Sequence, residues 1–176
     1  LVNNIKNKLN DIEYNLKYNY SRIFIECNDK DEKKVEDILS KTFGIYSYSI
    51  VYKCNKDLDE IIDTLTKNLP NINTFKFETR RSDKKFYLNS MEISSKLGAK
   101  LLSKTNLKVD VNNPDKIFYV EIREDYAYLY FDMKKALGGY PVGVQNKALV
   151  MLSGGIDSPV ASFLTLKKGI AIDLVY

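Results

Sequence analysis

Apolar and polar side chains follow two different periods along the first 55 residues. Up to Ile12 the apolar residues are spaced as on one face of a helix, whereas residues 21–27 alternate as in a half-buried strand. Residues 31–43 return to the helical spacing, and Gly44 is a predicted helix end because glycine tolerates the left-handed conformation. The pattern therefore predicts a helix through residue 12, a strand at 21–27, a helix at 31–43 and a strand at 46–54.

Residues 56–135 predict a second module of helices and strands. A helix at 57–69 places its apolar side chains on one face, and a strand at 74–80 follows. Asn89 precedes Glu92 by three residues, which is the arrangement of a capping box at a helix N-terminus. Along that helix the apolar and the lysine side chains occupy two different faces. Two strands follow at 117–123 and 126–132, with a predicted hairpin at Glu124 and Asp125.

Residues 147–176 predict a strand, a loop, a helix and a second strand. The apolar run at 148–152 is typical of a parallel strand covered on both faces. Ser158 is a predicted helix cap, Pro159 suits the first helical position, and Gly169 is the predicted helix end. We expect this helix to bury Val160, Phe163, Leu164 and Leu166, and residues 170–175 to form a second buried strand.

The loop between this first strand and its helix has the composition of a phosphate-binding site. Gly154 and Gly155 leave backbone N–H groups uncovered, and a helix N-terminus adds partial positive charge. The hydroxyls of Ser153 and Ser158 supply further donors. Asp157 would repel a phosphate unless a cation lay between them, so it indicates Mg²⁺ held against a pyrophosphate. The lysine that follows the last glycine of a Walker A loop is absent.

Three stretches resemble parts of known families. The six residues SGGIDS at 153–158, followed by Pro-Val, resemble the PP-loop of ATP pyrophosphatases. Residues 137–169 closely resemble the tRNA 4-thiouridine synthetases, also called the ThiI family. Residues 74–102, TFKFETRRSDKKFYLNSMEISSKLGAKLL, resemble the THUMP domain, an RNA-binding module of tRNA-modifying enzymes. The resemblance implies α+β N-terminal ferredoxin-like and THUMP domains, followed by the first β-α-β unit of an α/β PP-loop ATP pyrophosphatase domain.

The resemblance also implies a division of the chain into four parts. It predicts a truncated ferredoxin-like domain at 1–55, a THUMP domain at 56–135, a linker at 136–146 and a truncated PP-loop domain at 147–176. The linker contains GGYPVG, which is expected to pack where the catalytic domain meets the RNA-binding half. The chain begins inside a helical pattern without Met and stops after two strands of a fold that needs about five, so we expect a fragment.

Positive charge is concentrated in one part of a chain whose net charge is only +4. Residues 76–108 hold nine basic and three acidic side chains, beside the aromatic Phe86 and Tyr87. Such a cluster suits a phosphate backbone, and arginine can contact phosphate through two N–H groups. The charge alone leaves open a solvated helix face. With the THUMP resemblance, the predicted RNA-binding residues are Lys76, Arg80, Arg81, Lys84, Lys85, Lys96, Lys100 and Lys104.

For the whole protein the resemblance implies a tRNA sulfurtransferase. ATP would adenylate the C4 oxygen of a tRNA uridine, and sulfur brought as a persulfide by a cysteine desulfurase would displace AMP to give 4-thiouridine. Asp157 is the predicted catalytic residue and Mg²⁺ ligand. The predicted ATP-binding residues are Met151, Leu152, Ser153, Gly154, Gly155, Asp157, Ser158 and Tyr176.

Several alternatives stay open at this point. The fragment alone is expected to be inactive, so it could act only as an RNA-binding module, and another PP-loop adenylating enzyme is the second alternative. Sulfur transfer for thiamine thiazole synthesis and a homodimer are left open. No apolar run is long enough for a membrane span and no signal peptide is present, which predicts a cytoplasmic protein without a membrane partner. Cys27 and Cys54 lack metal-site spacing and are predicted as buried free thiols.

Overall fold

The computed structural model of the chain describes residues 1–19 and 22–176. These residues form two compact units, one made of Leu1–Tyr48 with Lys134–Tyr176 and the other of Ser49–Met133. The helices are α1 (Val2–Lys8), α2 (Glu32–Ser40), α3 (Leu58–Lys67), α4 (Ser90–Lys104) and α5 (Asp157–Lys167). The strands are β1 (Tyr14–Tyr18), β2 (Ile23–Cys27), β3 (Ser47–Tyr48), β4 (Tyr52–Cys54), β5 (Thr74–Arg81), β6 (Lys108–Val109), β7 (Lys116–Ile122), β8 (Ala127–Tyr130), β9 (Lys134–Lys135), β10 (Lys147–Met151) and β11 (Ala171–Val175).

The Ser49–Met133 unit is a five-stranded sheet with two helices on one face. The strand order is β4-β8-β7-β5-β6, with β5 parallel to both β6 and β7 and the other pairs antiparallel. Helices α3 and α4 bury their apolar faces against the side chains that alternate inward from the strands, as strand periodicity requires. Fully buried members of this core include Ile61, Leu65, Phe75, Ile93, Leu97, Leu101, Phe118, Val120 and Leu129.

Local sequence signals set the ends of both helices in this unit. The Asp57 carboxylate accepts hydrogen bonds from two backbone N–H groups of the first turn of α3. At α4 the predicted capping box is confirmed, since the Asn89 side chain accepts from the Glu92 N–H while the Glu92 carboxylate accepts from the Asn89 N–H. The predicted hairpin between β7 and β8 is present as well, closed by the Arg123 N–H donating to the Tyr126 carbonyl at 3.0 Å. Short-range chemistry therefore specifies this unit well.

Truncation of the α4 core residue Leu97 should destabilise the protein strongly. Leu97 is fully buried, and Leu97→Ala removes apolar contacts and leaves a cavity. We expect the free energy of unfolding to fall by about 2–5 kcal/mol. Leu102, on the exposed side of the same helix, is the matched control, and Leu102→Ala should change stability by less than about 0.5 kcal/mol. Urea denaturation followed by circular dichroism measures both, and equal losses would contradict the assigned core.

The N-terminal part of the other unit differs from the prediction in three ways. Helix α1 ends at Lys8, and Ile12 is buried only after a turn. Strand β1 was not predicted, although Tyr14 and Leu16 alternate with polar residues, and it pairs antiparallel with β2. Gly44 has a φ of +93° but does not end α2, which stops at Ser40. The predicted strand at 21–27 is confirmed at Ile23–Cys27, while Ser21 lies outside the described residues.

The single strand predicted at 46–54 is wrong. Ser47–Tyr48 pairs with β9, whereas Tyr52–Cys54 pairs with β8 in the five-stranded sheet. One apolar stretch is therefore divided between the two compact units. The alternation of side chains predicts that a segment is a strand, but it does not predict which other strand its backbone pairs with.

The C-terminal β10-α5-β11 segment has the predicted order and the parallel pairing of its strands. Gly169 ends the helix region with a φ of +86°, as predicted. The predicted burial is wrong, because Leu149 is 68% exposed and Val160, Phe163 and Leu164 are exposed too, while Leu166 is half-buried. Most of β11 is exposed as well. Within the described residues one face of this two-stranded sheet is largely uncovered, so Leu149 and Met151 remain in contact with solvent.

The start of α5 also corrects a prediction. The residue at the N-cap is Ile156, which makes no side-chain capping bond, and Pro159 is the third helical residue instead of the first. Proline is tolerated there because the first helical N–H groups have no partner within the helix. The Ser158 hydroxyl is used elsewhere, in the loop described below. Among the described residues, none of the helices has both the length and the apolar character needed to cross a bilayer.

Candidate nucleotide loop and RNA-binding surface

The loop between β10 and α5 is closed by the hydroxyl of Ser158. This oxygen accepts from the backbone N–H of Ser153 at 3.0 Å and donates to the Ser153 carbonyl at 3.1 Å. The two hydroxyls are 3.2 Å apart, and the Gly155 N–H donates to the Ser153 hydroxyl at 3.4 Å. The strand end and the helix start are thus tied together through serine side chains, and the turn around the two glycines is held open.

The glycines leave space over the loop, and Asp157 stands at its end. An added Cβ at Gly154 would meet nothing within 4 Å, and neither loop glycine has a positive φ. Asp157 is exposed and is the first residue of α5. An exposed carboxylate at the first position of α5 suits Mg²⁺, which takes one or two protein carboxylates and completes its shell with phosphate and water. Among the described residues no group of three His, Cys, Asp or Glu side chains could hold a metal ion by itself.

The other predicted nucleotide residues lie at the same edge of the sheet. Met151 is the last residue of β10 and pairs with Val175 of β11. The Leu152 N–H donates to the Val175 carbonyl at 2.7 Å, so Tyr176 follows directly beside the loop. Met151 and Tyr176 are largely exposed. The structure therefore brings the predicted set together at the carboxyl ends of two parallel strands, where open α/β sheets bind ligands.

The predicted RNA-binding residues do not form one continuous patch. In β5 the odd-numbered residues face the helices, since Phe75 belongs to the core and the Thr79 hydroxyl accepts from Ser94 of α4 at 2.7 Å. Lys76 and Arg80 must therefore lie on the opposite face of the sheet. Lys96, Lys100 and Lys104 belong to α4, and Lys84 and Lys85 belong to the loop between β5 and α4. These residues are close in sequence, but the pleat of β5 places Lys76 and Arg80 on the face of the sheet opposite α4.

Three of the predicted lysines are already paired with carboxylates. Lys100 contacts Asp59 at 2.5 Å and Lys104 contacts Asp63 at 2.6 Å. The two lysines are four residues apart on α4 and the two aspartates are four residues apart on α3, so the two ion pairs join these helices. The hydrogen bond that Lys104 donates to Asp63 lowers the pKa of this carboxyl, and the bond that Lys100 donates to Asp59 raises the pKa of Lys100. Lys76 likewise pairs with Glu78 at 3.0 Å. Matching spacings of four on α3 and α4 were a sequence signal for these pairs that the prediction missed.

The loop between β5 and α4 is held by side chains at its base. We call residues 80–88 the basic turn. Arg81 donates from one guanidinium nitrogen to the Phe86 and Leu88 carbonyls, both at 3.0 Å. Asp83, which is nearly buried, accepts from Lys56 at 2.8 Å and from the Lys85 N–H at 2.9 Å, and the Lys56 bond lowers the pKa of this carboxyl. Arg81 thus supports the turn from inside.

Three exposed cationic side chains lie in the basic turn, and a fourth lies on α4. Arg80, Lys84, Lys85 and Lys96 are exposed, and no ion pair involves them in residues 1–19 and 22–176. The ring of Tyr87 is 72% exposed, with Phe86 4.7 Å away between ring centres. A supported turn that presents cations and an aromatic ring can contact phosphates and stack on a base.

Neither cysteine belongs to the nucleotide loop or to the basic turn, since Cys27 lies in β2 and Cys54 in β4. Cys54 is buried in the core, and burial raises the pKa of its thiol to about 11, so it stays protonated at neutral pH. Its predicted burial is confirmed. Cys27 is only half-buried, which corrects the prediction, and desolvation again raises its pKa.

Comparisons with known families agree with this arrangement. A family model of the ThiI ferredoxin-like domain matches residues 1–49, one of the THUMP domain matches residues 55–132, and one of the thiamine biosynthesis protein ThiI matches residues 143–176. Probable tRNA sulfurtransferases from Thermoanaerobacter sp. (strain X514) and Acholeplasma laidlawii are 43% and 40% identical over 100% and 98% of the chain. The chain covers 47% and 43% of these two proteins, so it spans about half the length of the curated relatives it matches.

Two solved structures share the fold. A 4-thiouridine synthetase in complex with RNA and with bound ATP superimposes with a TM-score of 0.81 at 32% identity, over 98% of this chain and 45% of that one. A protein from Pyrococcus horikoshii Ot3, PH1313, gives a TM-score of 0.87 at 29% identity, over 99% of this chain and 62% of the other. The predicted fold class, with ferredoxin-like and THUMP domains before the start of a PP-loop region, is confirmed. The four-part residue boundaries stay a prediction.

Proposed function

This chain belongs to the ThiI family, and on that premise we propose that the whole protein is an ATP-dependent tRNA sulfurtransferase that makes 4-thiouridine. The observation that carries the proposal is the SGGIDS loop at the carboxyl end of β10, in one chain with a THUMP domain. Relatives that are 40% and 43% identical over 98% and 100% of the chain are named probable tRNA sulfurtransferases. The ferredoxin-like match at 1–49 disfavours an unrelated PP-loop enzyme.

In this proposal the loop binds the phosphates of ATP. The N–H groups near Gly154 and Gly155 donate to phosphate oxygens, and the N-terminus of α5 adds favourable electrostatic potential. The Ser153 and Ser158 hydroxyls are already preorganised by their mutual hydrogen bonds, so they order the loop and can exchange partners with a phosphate. Met151, Leu152 and Tyr176 lie where the adenosine would contact the strand ends. A related 4-thiouridine synthetase has been solved with RNA and bound ATP, which supports the use of ATP.

Asp157 would hold Mg²⁺ against the pyrophosphate. When bound, the ion would supply charge stabilisation as pyrophosphate leaves. The chain itself contributes an exposed carboxylate at the first position of α5, next to space left by glycine. The N–H groups of the same turn can hold phosphate oxygens while the carboxylate faces the ion.

The RNA is proposed to contact the basic turn. Among the predicted RNA-binding residues, Arg80, Lys84, Lys85 and Lys96 are exposed and have no ion pair in the described part of the chain. They can therefore neutralise RNA phosphates and release the counterions bound to the RNA. Lys76, Lys100 and Lys104 are proposed to contribute less, because carboxylates already compensate their charge. Arg81 is proposed to act indirectly, by shaping the turn.

The remaining assignments concern the whole protein. A cysteine desulfurase is the proposed sulfur donor, as the family resemblance implies, and the raised thiol pKa of Cys27 and of Cys54 disfavours a thiolate at either position. The family description also includes thiamine biosynthesis, so sulfur transfer to the thiazole of thiamine is a second proposed function. A homodimer and a cytoplasmic location stay predictions.

Reconstitution with the full-length protein tests the proposal. Purified protein is incubated with unmodified tRNA, ATP, Mg²⁺, cysteine and a cysteine desulfurase, and the digested nucleosides are analysed by mass spectrometry. We expect 4-thiouridine to form together with AMP and pyrophosphate, and to be lost when ATP is omitted. AMP formation without thiolated uridine would favour a different adenylating enzyme. Residues 1–176 alone should bind tRNA but form no 4-thiouridine.

A further inference from the structure

The connecting segment, residues 136–146, is bonded on both of its sides. On one side it extends the β3–β9 pairing, because the Gly138 N–H donates to the Ile45 carbonyl and the Gly44 N–H to the Gly138 carbonyl, both at 2.8 Å. The Asn4 side chain of α1 donates to the Val142 carbonyl at 2.9 Å. Although its glycines predicted a simple linker, the segment is therefore anchored to the N-terminal domain.

On its other side the connecting segment is hydrogen-bonded to the C-terminal end of α5. The Tyr140 N–H donates to the Lys167 carbonyl at 2.9 Å, and the N–H groups of Gly143 and Gln145 donate to the Gly169 carbonyl at 2.9 and 3.1 Å. The bond to Lys167 satisfies a carbonyl that the helix end leaves without a partner, and the other two bonds hold the residue just beyond the helix. The nucleotide loop lies at the opposite end of the same 11-residue helix, about 16 Å away at the usual rise per residue.

Gly139 lies in close steric contact with the C-terminal end of α5. A Cβ added at Gly139 would lie 2.3 Å from the Lys167 carbonyl oxygen and 2.7 Å from its Cγ, closer than such atoms approach. At the neighbouring Gly138 an added Cβ would meet nothing within 4 Å. Both residues have positive φ, +65° at Gly138 and +74° at Gly139. The two positions therefore differ in their contact with α5, and hardly at all in backbone conformation.

We propose that the connecting segment is a positioning element, with Gly139 as its key residue, that fixes α5 and the nucleotide loop relative to the N-terminal domain. The inference rests on the proposed function, in which the uridine of the bound tRNA must reach ATP at the nucleotide loop. A shift of α5 would leave each ligand its own contacts while moving the reacting atoms apart. Misplacement of about 1 Å can lower a rate by about 100-fold, so the rate, more than either affinity, should depend on this segment.

The test compares Gly139→Asn with Gly138→Asn in the full-length protein. Asparagine tolerates the left-handed conformation better than other side chains, so the pair isolates the clash with α5. We expect Gly139→Asn to slow the turnover of uridine to 4-thiouridine by about 10- to 100-fold, with the Kd for ATP and for tRNA within about threefold of wild type. Gly138→Asn should remain within about twofold in all three quantities. Asn4→Ala, which removes one bond without adding volume, should slow turnover by a smaller factor.

Hydrogen exchange gives a readout that does not depend on activity. In Gly139→Asn the amides of Tyr140 and Gly143 should lose protection, and so should those of Gly44 and Gly138 on the N-terminal side. Loss confined to the α5 side, equal turnover rates in both asparagine variants, or a parallel loss of ATP and tRNA binding would overturn the positioning role. If Gly139→Asn fails to fold, an unchanged turnover rate in Asn4→Ala overturns it. If the wild-type amides are protected as expected but the protein forms no 4-thiouridine, the proposed function is overturned, whereas the anchoring of α5 to the N-terminal domain is not.

Discussion

Asp157→Asn in the full-length protein is expected to reduce adenylation of tRNA by at least about 100-fold. Asparagine keeps the shape of aspartate but loses the charge that would hold Mg²⁺ against the pyrophosphate. Metal stabilisation of a leaving group contributes several kcal/mol, and each 1.4 kcal/mol is about a factor of ten in rate. The measurement is AMP release and 4-thiouridine formation under single-turnover conditions. The Kd for tRNA should stay near wild type, since the basic turn belongs to the other compact unit.

A structural explanation for Asp157 makes a different prediction. A carboxylate in the first turn of a helix also favours the helix dipole, by about 0.3–1 kcal/mol, which would alter stability and not adenylation. Asp173→Asn is the matched control, because Asp173 is an exposed aspartate of β11 in the same segment, paired with Lys147 at 2.7 Å. It should lose little stability and no activity. If the Asp157 variant thiolates tRNA at a near-normal rate, this carboxylate only stabilises the helix and has no role in adenylation.

Replacement of Arg80, Lys84 and Lys85 by Ala together is expected to weaken tRNA binding by roughly 10- to 100-fold at low salt. Each cation that contacts a phosphate adds about 0.7–0.9 to the slope of log K against log salt, so the slope should fall by about 2 to 3. The loss should be similar for RNAs of different sequence, because phosphate contacts carry no base information. Filter binding or fluorescence anisotropy over a series of salt concentrations measures both quantities.

Lys100→Ala with Lys104→Ala is the matched control for charge. These lysines lie on the same module but are held by Asp59 and Asp63, so their removal should change the salt slope by less than about 1. Arg81 is left intact in both variants because it supports the turn through the Phe86 and Leu88 carbonyls. A larger effect of the α4 pair than of the basic turn would place the RNA along the helix and would contradict the proposed surface.

Features that depend on neighbouring residues were determined by the sequence itself. The capping box of Asn89 and Glu92, the hairpin after Arg123 and the apolar stripe of α4 were all predicted and are present. The order of strand, loop, helix and strand around SGGIDS was predicted as well. These features depend on interactions within a few residues, so the local pattern contains the information that specifies them. The motifs also carried enough information to identify the family.

Features that depend on distant partners were decided by the tertiary structure. Residues 46–54 alternate like one strand, yet Ser47–Tyr48 and Tyr52–Cys54 pair with strands of different units, because backbone hydrogen bonding has no signature in the side-chain pattern. The charges between 76 and 108 are close in sequence, but the pleat of β5 and the acidic residues of α3 leave only some of them available. The glycines at 138 and 139 looked equivalent, and only the approach of Lys167 distinguishes them. Strand pairing, the ion pairs of the lysines and the contact of a glycine with a helix each depend on residues far away along the chain. For this reason only the tertiary structure decides them.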